Sequence, residues 1–164
     1  MRYPDPVLKR RAEPVAAVDA GIRALIEDMY AIMRKEEGLG LAAPQVGRSL
    51  RIFVTEKHED FPARAYINPC LIAADGPVAV REEGCLSLPG ISVNVRRPSH
   101  VRIEATGIDG ERFELEDSGL MGRCWLHEHD HLEGRLITDW MSPIDRLAAR
   151  RALRDLEEAF EEGR

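Results

Sequence analysis

The 164-residue sequence has few cysteines, few aromatic residues and no excess of positive charge. Its three cysteines cannot all pair within one chain, so a fold stapled by disulfides is not expected. A net charge of -6 gives no general attraction to phosphate backbones or anionic lipid. These deficits argue against nucleic-acid and membrane partners, and any ribosome contact would have to be local.

Long apolar runs are also missing from the chain. The longest stretches, such as residues 51–54, are too short to cross a bilayer, and residues 1–4 lack the apolar core of a signal peptide. We therefore expect a cytoplasmic protein. Its hydrophobic content of 44% and charged content of 32% are typical of globular proteins, and the length fits one domain over residues 1–164.

Three segments have the sequence pattern of helices. Apolar residues recur at helical spacing in residues 19–37, which begin with a capping aspartate, and Gly38 is the expected stop. A second helix is predicted over residues 118–133, ending at Gly134. A third helix is predicted to begin at Ser142, which can cap it and is followed by proline.

The region between the first two helices has the pattern of antiparallel strands and turns. Short runs rich in Val, Ile and aromatic residues alternate with turn signals, and the prolines of the first fourteen residues predict an extended strap. Strands are predicted at residues 50–55, 65–68, 91–95, 101–106 and 112–115. Helices flanking a block of strands indicate the α+β class.

The second predicted helix carries the main chemical motif, His-Glu-x-x-His. His127 and His131 are four residues apart and so share one helix face, where two neutral imidazoles can reach one divalent metal ion. Leu120 and Cys124 lie on the same stripe, which places the motif on the buried side of the helix. The alternative is a pair of core histidines satisfied by hydrogen bonds. A bound cation would better relieve the desolvation of two histidines and Glu128.

The other polar residues of the motif have different expected roles. Glu128 can hydrogen-bond a metal-bound water and act as an acid and base, and an exposed carboxylate is the alternative. Its stripe also holds Trp125 and Leu132, which disfavours exposure. His129 points away and is not an expected ligand, whereas Asp130 either orients a ligand or is a solvated charge.

A catalytic metal site needs a third protein ligand, and Cys85 is the best candidate. It follows Gly84 between two strand signals, and it is not on an obvious core stripe. Cys70 and Cys124 are interpreted as small apolar residues. The predicted fold is therefore α+β, with antiparallel strands packed around a central metal-binding helix and with an N-terminal and a C-terminal helix.

The chain resembles the peptide deformylase family in three separated motifs. They are GLGLAAPQ at residues 38–45, EGCLS at residues 83–87 and HEHDH at residues 127–131, in the family's order. Similarity at residues 3–6 and 139–143 extends the resemblance over essentially the whole chain.

The resemblance implies a metal-dependent hydrolase that removes the formyl group from the N-terminal formyl-methionine of new polypeptides and releases formate. It assigns the metal to Cys85, His127 and His131, and the oxyanion donors to the Gln45 side chain and the Leu86 main-chain N–H. The family commonly uses Fe²⁺, with Zn²⁺, Ni²⁺ or Co²⁺ able to occupy the same site. N-formyl-methionyl nascent peptides are the implied partners.

The resemblance also indicates where substrate binds. Leu39, Gly40 and Gly84 are expected beside an extended peptide, and ordinary turn glycine is the alternative for the two glycines. Leu120 and Cys124 are expected to line an apolar pocket for the methionine side chain, and simple core packing is their alternative.

The chain departs from the family at one position of the third motif. Leu126 stands where glutamine usually precedes the first histidine, so a supporting hydrogen bond is either missing or supplied from elsewhere. The last helix is basic over residues 146–154 and acidic over residues 155–162, so ribosome docking is not carried over. Two rival functions are a metal-dependent peptidase and a noncatalytic, metal-stabilised binding module.

Overall fold

The computed structural model describes residues 1–163 as three α-helices and five β-strands. In chain order these are α1 (Ala20–Lys35), β1 (Gly40–Ala42), β2 (Ile52–Thr55), β3 (Arg64–Gly84), β4 (Ser92–Thr106), β5 (Arg112–Asp117), α2 (Leu120–Leu132) and α3 (Pro143–Glu162). Short 3₁₀ helices span Pro6–Lys9, Ala43–Val46 and Ile137–Trp140.

The five strands form one antiparallel sheet in the order β1-β2-β3-β4-β5. Each strand pairs with the next one along the chain, so the sheet is a meander. A tight turn joins β4 to β5, where the N–H of Gly110 donates to the carbonyl of Gly107 at 3.0 Å. This turn makes β4 and β5 a hairpin.

Strand β2 is buried on both faces because α1 and α2 cover opposite sides of the sheet. Ile52 and Val54 pack in the cluster that includes α1, whereas Phe53 packs with α2. This burial explains why the strand has a continuous apolar run instead of an alternating one. The predicted α+β architecture around a central helix is confirmed.

Helix α2 is anchored to the sheet by Trp125, whose side chain is fully buried. The indole Nε1–H donates to the hydroxyl of Tyr66 at 2.9 Å, and that hydroxyl also receives a bond from Thr55 Oγ1 at 3.2 Å. Phe53 stacks on the ring of Tyr66, with centroids 4.5 Å apart. These contacts fix the depth and rotation of the helix that carries the histidines.

A separate apolar cluster supports the segment between β3 and β4. Leu88 and Ile91 from this segment pack with Leu136, Ile137 and Leu153, the last of which lies in α3. The C-terminal helix therefore stabilises the connection that follows Cys85, and it holds the second sequence motif in place.

Strands β3 and β4 are much longer than predicted. β4 joins two predicted strands, and most of β3 was not predicted because the Asp75-Gly76-Pro77 sequence has the pattern of a turn. The structure instead accommodates it as an irregularity in the ladder between Asp75 and Val78, with Gly76 at φ +78°. Strand β1 was not predicted either.

Three local predictions were wrong. Helix α1 ends at Lys35, and Glu37, at φ +53°, has the left-handed conformation expected of Gly38. The predicted N-terminal strap contains the 3₁₀ helix Pro6–Lys9, because the side chain of Asp5 accepts from the first turn. Cys70 is exposed, because a register shift between Ile67 and Cys70 changes the direction of the side chains after it.

The starts of α1 and α3 agree with the prediction. Asp19 Oδ1 accepts from the N–H of Ile22 at 2.9 Å, and Ser142 Oγ accepts from the N–H of Asp145 at 3.1 Å. In residues 1–163, no helix is both long enough and apolar enough to cross a membrane.

Gly134 terminates α2 in a position that only glycine fits well. Its φ is +73°, and an added Cβ would lie 2.6 Å from the main-chain oxygen of Lys9. Gly110, at φ +83°, has no atom within 4 Å of an added Cβ and provides a matched control. We expect Gly110→Ala to cost about 1 kcal/mol of unfolding free energy from backbone strain alone.

We expect Gly134→Ala to cost about 1–3 kcal/mol more than Gly110→Ala, because the N-terminal segment must move away from the added methyl group. Urea unfolding of the two variants measures the difference. Equal losses would show that the close approach of the N-terminal segment to Gly134 contributes nothing.

Candidate active site and metal centre

Two segments of the chain bring the predicted metal ligands together. Helix α2 presents His127 and His131 on adjacent turns, with ring centroids 5.2 Å apart. Cys85 directly follows the last residue of β3. Its Sγ lies 3.4 Å from Nε2 of His131, and one potential ligand atom from each of the three residues lies within 4.8 Å of the others.

This arrangement fits a divalent metal ion. Tetrahedral coordination with usual bond lengths places a sulfur and a nitrogen ligand roughly 3.5 Å apart, close to the observed Sγ···Nε2 separation of 3.4 Å. Burial holds the pKa of His131 well below its usual value, which keeps the ring in the neutral form that binds metal. The three residues therefore form a metal site.

A buried carboxylate orients the first histidine. Glu83 Oε1 lies 2.9 Å from Nδ1 of His127, and Arg97 donates two bonds to Glu83 at 2.7 and 3.0 Å. Burial alone would raise the pKa of Glu83, but hydrogen bonds from His127 and Arg97 outweigh it and lower the pKa to about 2. Because Glu83 is ionised, Nδ1 of His127 donates to it, and Nε2 is the ring nitrogen left for a metal ion. Burial lowers the pKa of His127, but hydrogen bonds with Cys85 and Glu83 outweigh it and raise the pKa to about 10, so a metal ion would displace the proton on Nε2.

Two more charged residues complete this buried cluster. Nε of Arg123 lies 2.9 Å from Oε2 of Glu83. Asp130 accepts from Arg97 at 2.9 Å and from the indole N–H of Trp140 at 3.1 Å. Asp130 is therefore buried and paired, and the solvated alternative for this residue is wrong. It contacts Arg97, which in turn holds Glu83.

The roles of Glu83, Arg97 and Arg123 were not predicted from the sequence. Arg97 had one usable signal, because it continues the inward alternation of Val93 and Val95 and should therefore be buried and in need of an acidic partner. The identity of its partners depends on the pairing of β3 with β4 for Glu83 and on the packing of α2 for Asp130, so it could not be predicted.

Glu128 lies on the buried side of α2, as predicted from its stripe. The residue is only 4% exposed, and its Oε2 is buried without a hydrogen-bond partner in the described part of the chain. Burial raises the pKa of Glu128 to about 7, a range suited to taking and returning a proton near neutral pH.

Gly40 permits the close approach of β1 to Glu128. A Cβ at this position would lie 2.7 Å from Glu128 Oε1 and 2.9 Å from Cys124 Sγ. At Gly84 an added Cβ would meet nothing within 4 Å. The first glycine is therefore needed for packing, and the second leaves the end of β3 open to the cleft.

The candidate residues surround one open cleft of about 710 Å³. All of the predicted catalytic and substrate-binding residues line it, together with two of the metal ligands. These are Leu39, Gly40, Gln45, Gly84, Cys85, Leu86, Leu120, Cys124, His127 and Glu128. Nε2 of Gln45 lies 3.7 Å from Cys85 Sγ, which places the amide beside the metal ligands.

Leu126 stands where the family usually has glutamine, but His127 still has a hydrogen-bond partner that orients it. Leu126 is 7% exposed and packs in the apolar cluster around Trp125. His127 Nδ1 instead donates its hydrogen bond to Glu83.

Replacing Glu83 should weaken metal binding. Glu83→Gln removes the charge that pairs with Arg97 and fixes the tautomer of His127, so we expect affinity for the metal to fall about 10- to 100-fold. The exposed neighbour provides the control, since Glu82→Gln should leave affinity unchanged. Competition with a chromogenic chelator measures both variants, and equal affinities would exclude a supporting role for Glu83.

The sequence matches a family model described as "Polypeptide deformylase" over residues 1–147. A peptide deformylase of Azotobacter vinelandii is 44% identical over 154 residues, covering 93% of this chain and 92% of that protein. The chloroplastic peptide deformylase 1B of Oryza sativa subsp. japonica is 38% identical over 165 residues, covering 99% of this chain and 61% of that protein.

Solved structures give the same assignment. Peptide deformylase 1B of Arabidopsis thaliana, in complex with an inhibitor, superposes with a TM-score of 0.92 at 36% identity, covering 99% of this chain and 91% of that one. A Plasmodium falciparum peptide deformylase with an inhibitor gives a TM-score of 0.88 at 38% identity, covering 96% and 97%. The chain belongs to the peptide deformylase family, hydrolases that remove the N-formyl group from nascent polypeptides.

Proposed function

We propose that Glu128 is the acid and base of the deformylation reaction. The observation that carries this proposal is the position of its buried carboxylate in the same cleft as Cys85 and His127. The chemistry that a bound divalent ion supplies there is Lewis-acid activation of water and of the formyl oxygen. Glu128 takes a proton from the attacking water and returns it to the departing nitrogen.

The reaction consumes one water molecule. The water oxygen bonds to the formyl carbon, the carbon–nitrogen bond breaks, and formate leaves. Both water protons end on the new N-terminal amine at neutral pH, one of them passed on by Glu128. A carboxyl group with a pKa of about 7 can both accept and release that proton.

We propose that two hydrogen-bond donors stabilise the negative charge that develops on the formyl oxygen. They are the side-chain amide of Gln45 and the main-chain N–H of Leu86, and both residues line the cleft. Gln45 is held beside Cys85 by the 3₁₀ helix Ala43–Val46, and Leu86 follows Cys85 directly. Donors that are fixed before the reaction stabilise an oxyanion without reorganisation.

The substrate peptide binds in an extended form in this proposal. β1 is an edge strand that begins at Gly40, and β3 ends at Gly84, so both offer main-chain groups at the cleft. Leu39 lies next to Gly40 and lines the same cleft. An extended peptide can pair with such edges through its own backbone.

An apolar wall beside the metal ligands is the proposed site of the methionine side chain. Leu120 and Cys124 lie one turn apart on α2 and line the cleft next to His127. Leu120 is 44% exposed, so a methionine side chain could cover it. Cys124 is buried and also belongs to the apolar core, so it contributes both to the proposed methionine pocket and to core packing.

We propose Fe²⁺ as the native metal, with Zn²⁺, Ni²⁺ or Co²⁺ able to replace it. The Cys-His-His set supplies one thiolate and two imidazoles, which suit all four ions. A thiolate-ligated ferrous site is prone to oxidation, so purification in air should lower activity. Active protein purified without oxygen and free of iron would overturn this metal assignment.

The wider setting is proposed from the same features. Residues 1–164 form one catalytic domain, because α2 packs on the sheet while its His127 lines the cleft. The expected location is the cytoplasm, where formylated nascent peptides arise. The net charge of -6 does not favour an RNA contact, so we propose no ribosome docking surface.

Replacing Glu128 should separate chemistry from metal binding. In Glu128→Gln the side chain keeps its size but cannot take the water proton, so we expect kcat to fall by about 10²- to 10⁴-fold. Metal content should stay the same. Formate release from a formyl-Met peptide, together with elemental analysis, measures both quantities.

The neighbouring variant His129→Gln provides the control and should keep both activity and metal, because His129 is not part of the metal cluster. An active Glu128→Gln enzyme would remove Glu128 from its proposed role. A wild-type protein that holds metal but releases no formate would favour the noncatalytic binding module.

A further inference from the structure

The carboxamide of Gln45 is fixed at both ends. Its Oε1 accepts from the main-chain N–H of Ala42 at 2.9 Å, and its Nε2 donates to Ser87 Oγ at 3.2 Å. Gln45 is 5% exposed and Ser87 only 1%. The side chain proposed to stabilise the oxyanion is therefore held from behind by a buried hydroxyl.

The hydrogen of the Ser87 hydroxyl is already used. Ser87 Oγ donates to the main-chain oxygen of Met1 at 2.9 Å, so it can offer only lone pairs to Gln45. If the amide were flipped, Nε2 would face the N–H of Ala42, donor against donor, and Oε1 would face an oxygen with no hydrogen left to give. Only one orientation of the amide satisfies both Ala42 and Ser87.

This orientation directs the second N–H of Gln45 toward the metal ligands. Nε2 carries two hydrogens, and Ser87 takes one of them. The second hydrogen makes only a long bond of 3.7 Å to Cys85 Sγ, which places it on the metal side of the amide. In the described part of the chain, the cleft is lined by Leu86 and Leu88, but not by Ser87 between them.

We propose that Ser87 is a positioning residue for deformylation: its hydroxyl holds the Gln45 amide so that the second N–H is directed to the substrate's formyl oxygen. The proposal rests on the proposed role of Gln45 as an oxyanion donor. Ser87 touches neither the substrate nor the reacting atoms and acts through Gln45 alone. Its effect should therefore be on the rate of the chemical step, with little effect on substrate binding.

The first test is Ser87→Ala, measured by steady-state formate release. Loss of the acceptor frees the amide to rotate or flip, and we expect kcat to fall roughly tenfold, since small displacements of a reacting group cost this much or more. KM for a formyl-Met peptide and the metal content should be unchanged. Unchanged kcat, or a loss seen only in KM or metal content, would overturn the proposal.

Two further variants control for packing. Ser99→Ala makes the same change in β4, away from the cleft-lining residues, and should leave kcat and KM unchanged. Ser87→Cys keeps nearly the same volume but offers a weaker acceptor, so its kcat should fall between wild type and Ser87→Ala. If Ser87→Ala does not fold, Ser87→Cys becomes the deciding test, and an unchanged kcat for that variant would reject the proposal.

A double-mutant cycle distinguishes the proposed role of Gln45 as an oxyanion donor from the proposed role of Ser87 in positioning it. Gln45→Leu alone should lower kcat by about 10²- to 10³-fold, the usual effect of losing one oxyanion donor. If it does not, the role of Gln45 fails. Adding Ser87→Ala to Gln45→Leu should cause no further loss. A full additional tenfold loss would mean that Ser87 acts by another route and would overturn its assignment alone.

Discussion

The active site depends on the contacts that the buried carboxylate of Glu83 makes with its charged and hydrogen-bonding partners. This carboxylate joins β3 to α2 through His127 and Arg123, and to β4 through Arg97. An unpaired charge at this depth would cost several kcal/mol, so the three partners must stay together once the chain has folded. This requirement fixes the end of β3, and with it Cys85, against the helix that carries the histidines.

Because of these contacts, two short segments supply most of the site: α2 and the segment that begins at Glu83. In the segment that begins at Glu83, Cys85 faces the histidines, Leu86 lines the cleft and Ser87 reaches behind Gln45. The rest of the fold supports these segments: one apolar cluster anchors α2 on the sheet, and another, with α3, holds the connection after Cys85. A catalytic arrangement of this kind needs rigid supports on both sides.

Local features of the site and fold could be predicted from the sequence, but long-range ones could not. The spacing of His127 and His131 places them together within one helix, whatever the rest of the chain does. The length of β3 was missed because residues 75–77 have the pattern of a turn, and only pairing with β4 reveals an irregular strand. Partners such as Arg97 and Glu83 are 14 residues apart and meet through tertiary packing, which no local pattern encodes.

The central claim is that Cys85, His127 and His131 hold the catalytic metal, and X-ray absorption spectroscopy at the metal edge tests it most directly. On protein purified without oxygen, the account predicts one sulfur ligand at about 2.3 Å and two imidazole nitrogens at about 2.0–2.1 Å. A first coordination shell without sulfur, or with a single imidazole, would contradict it.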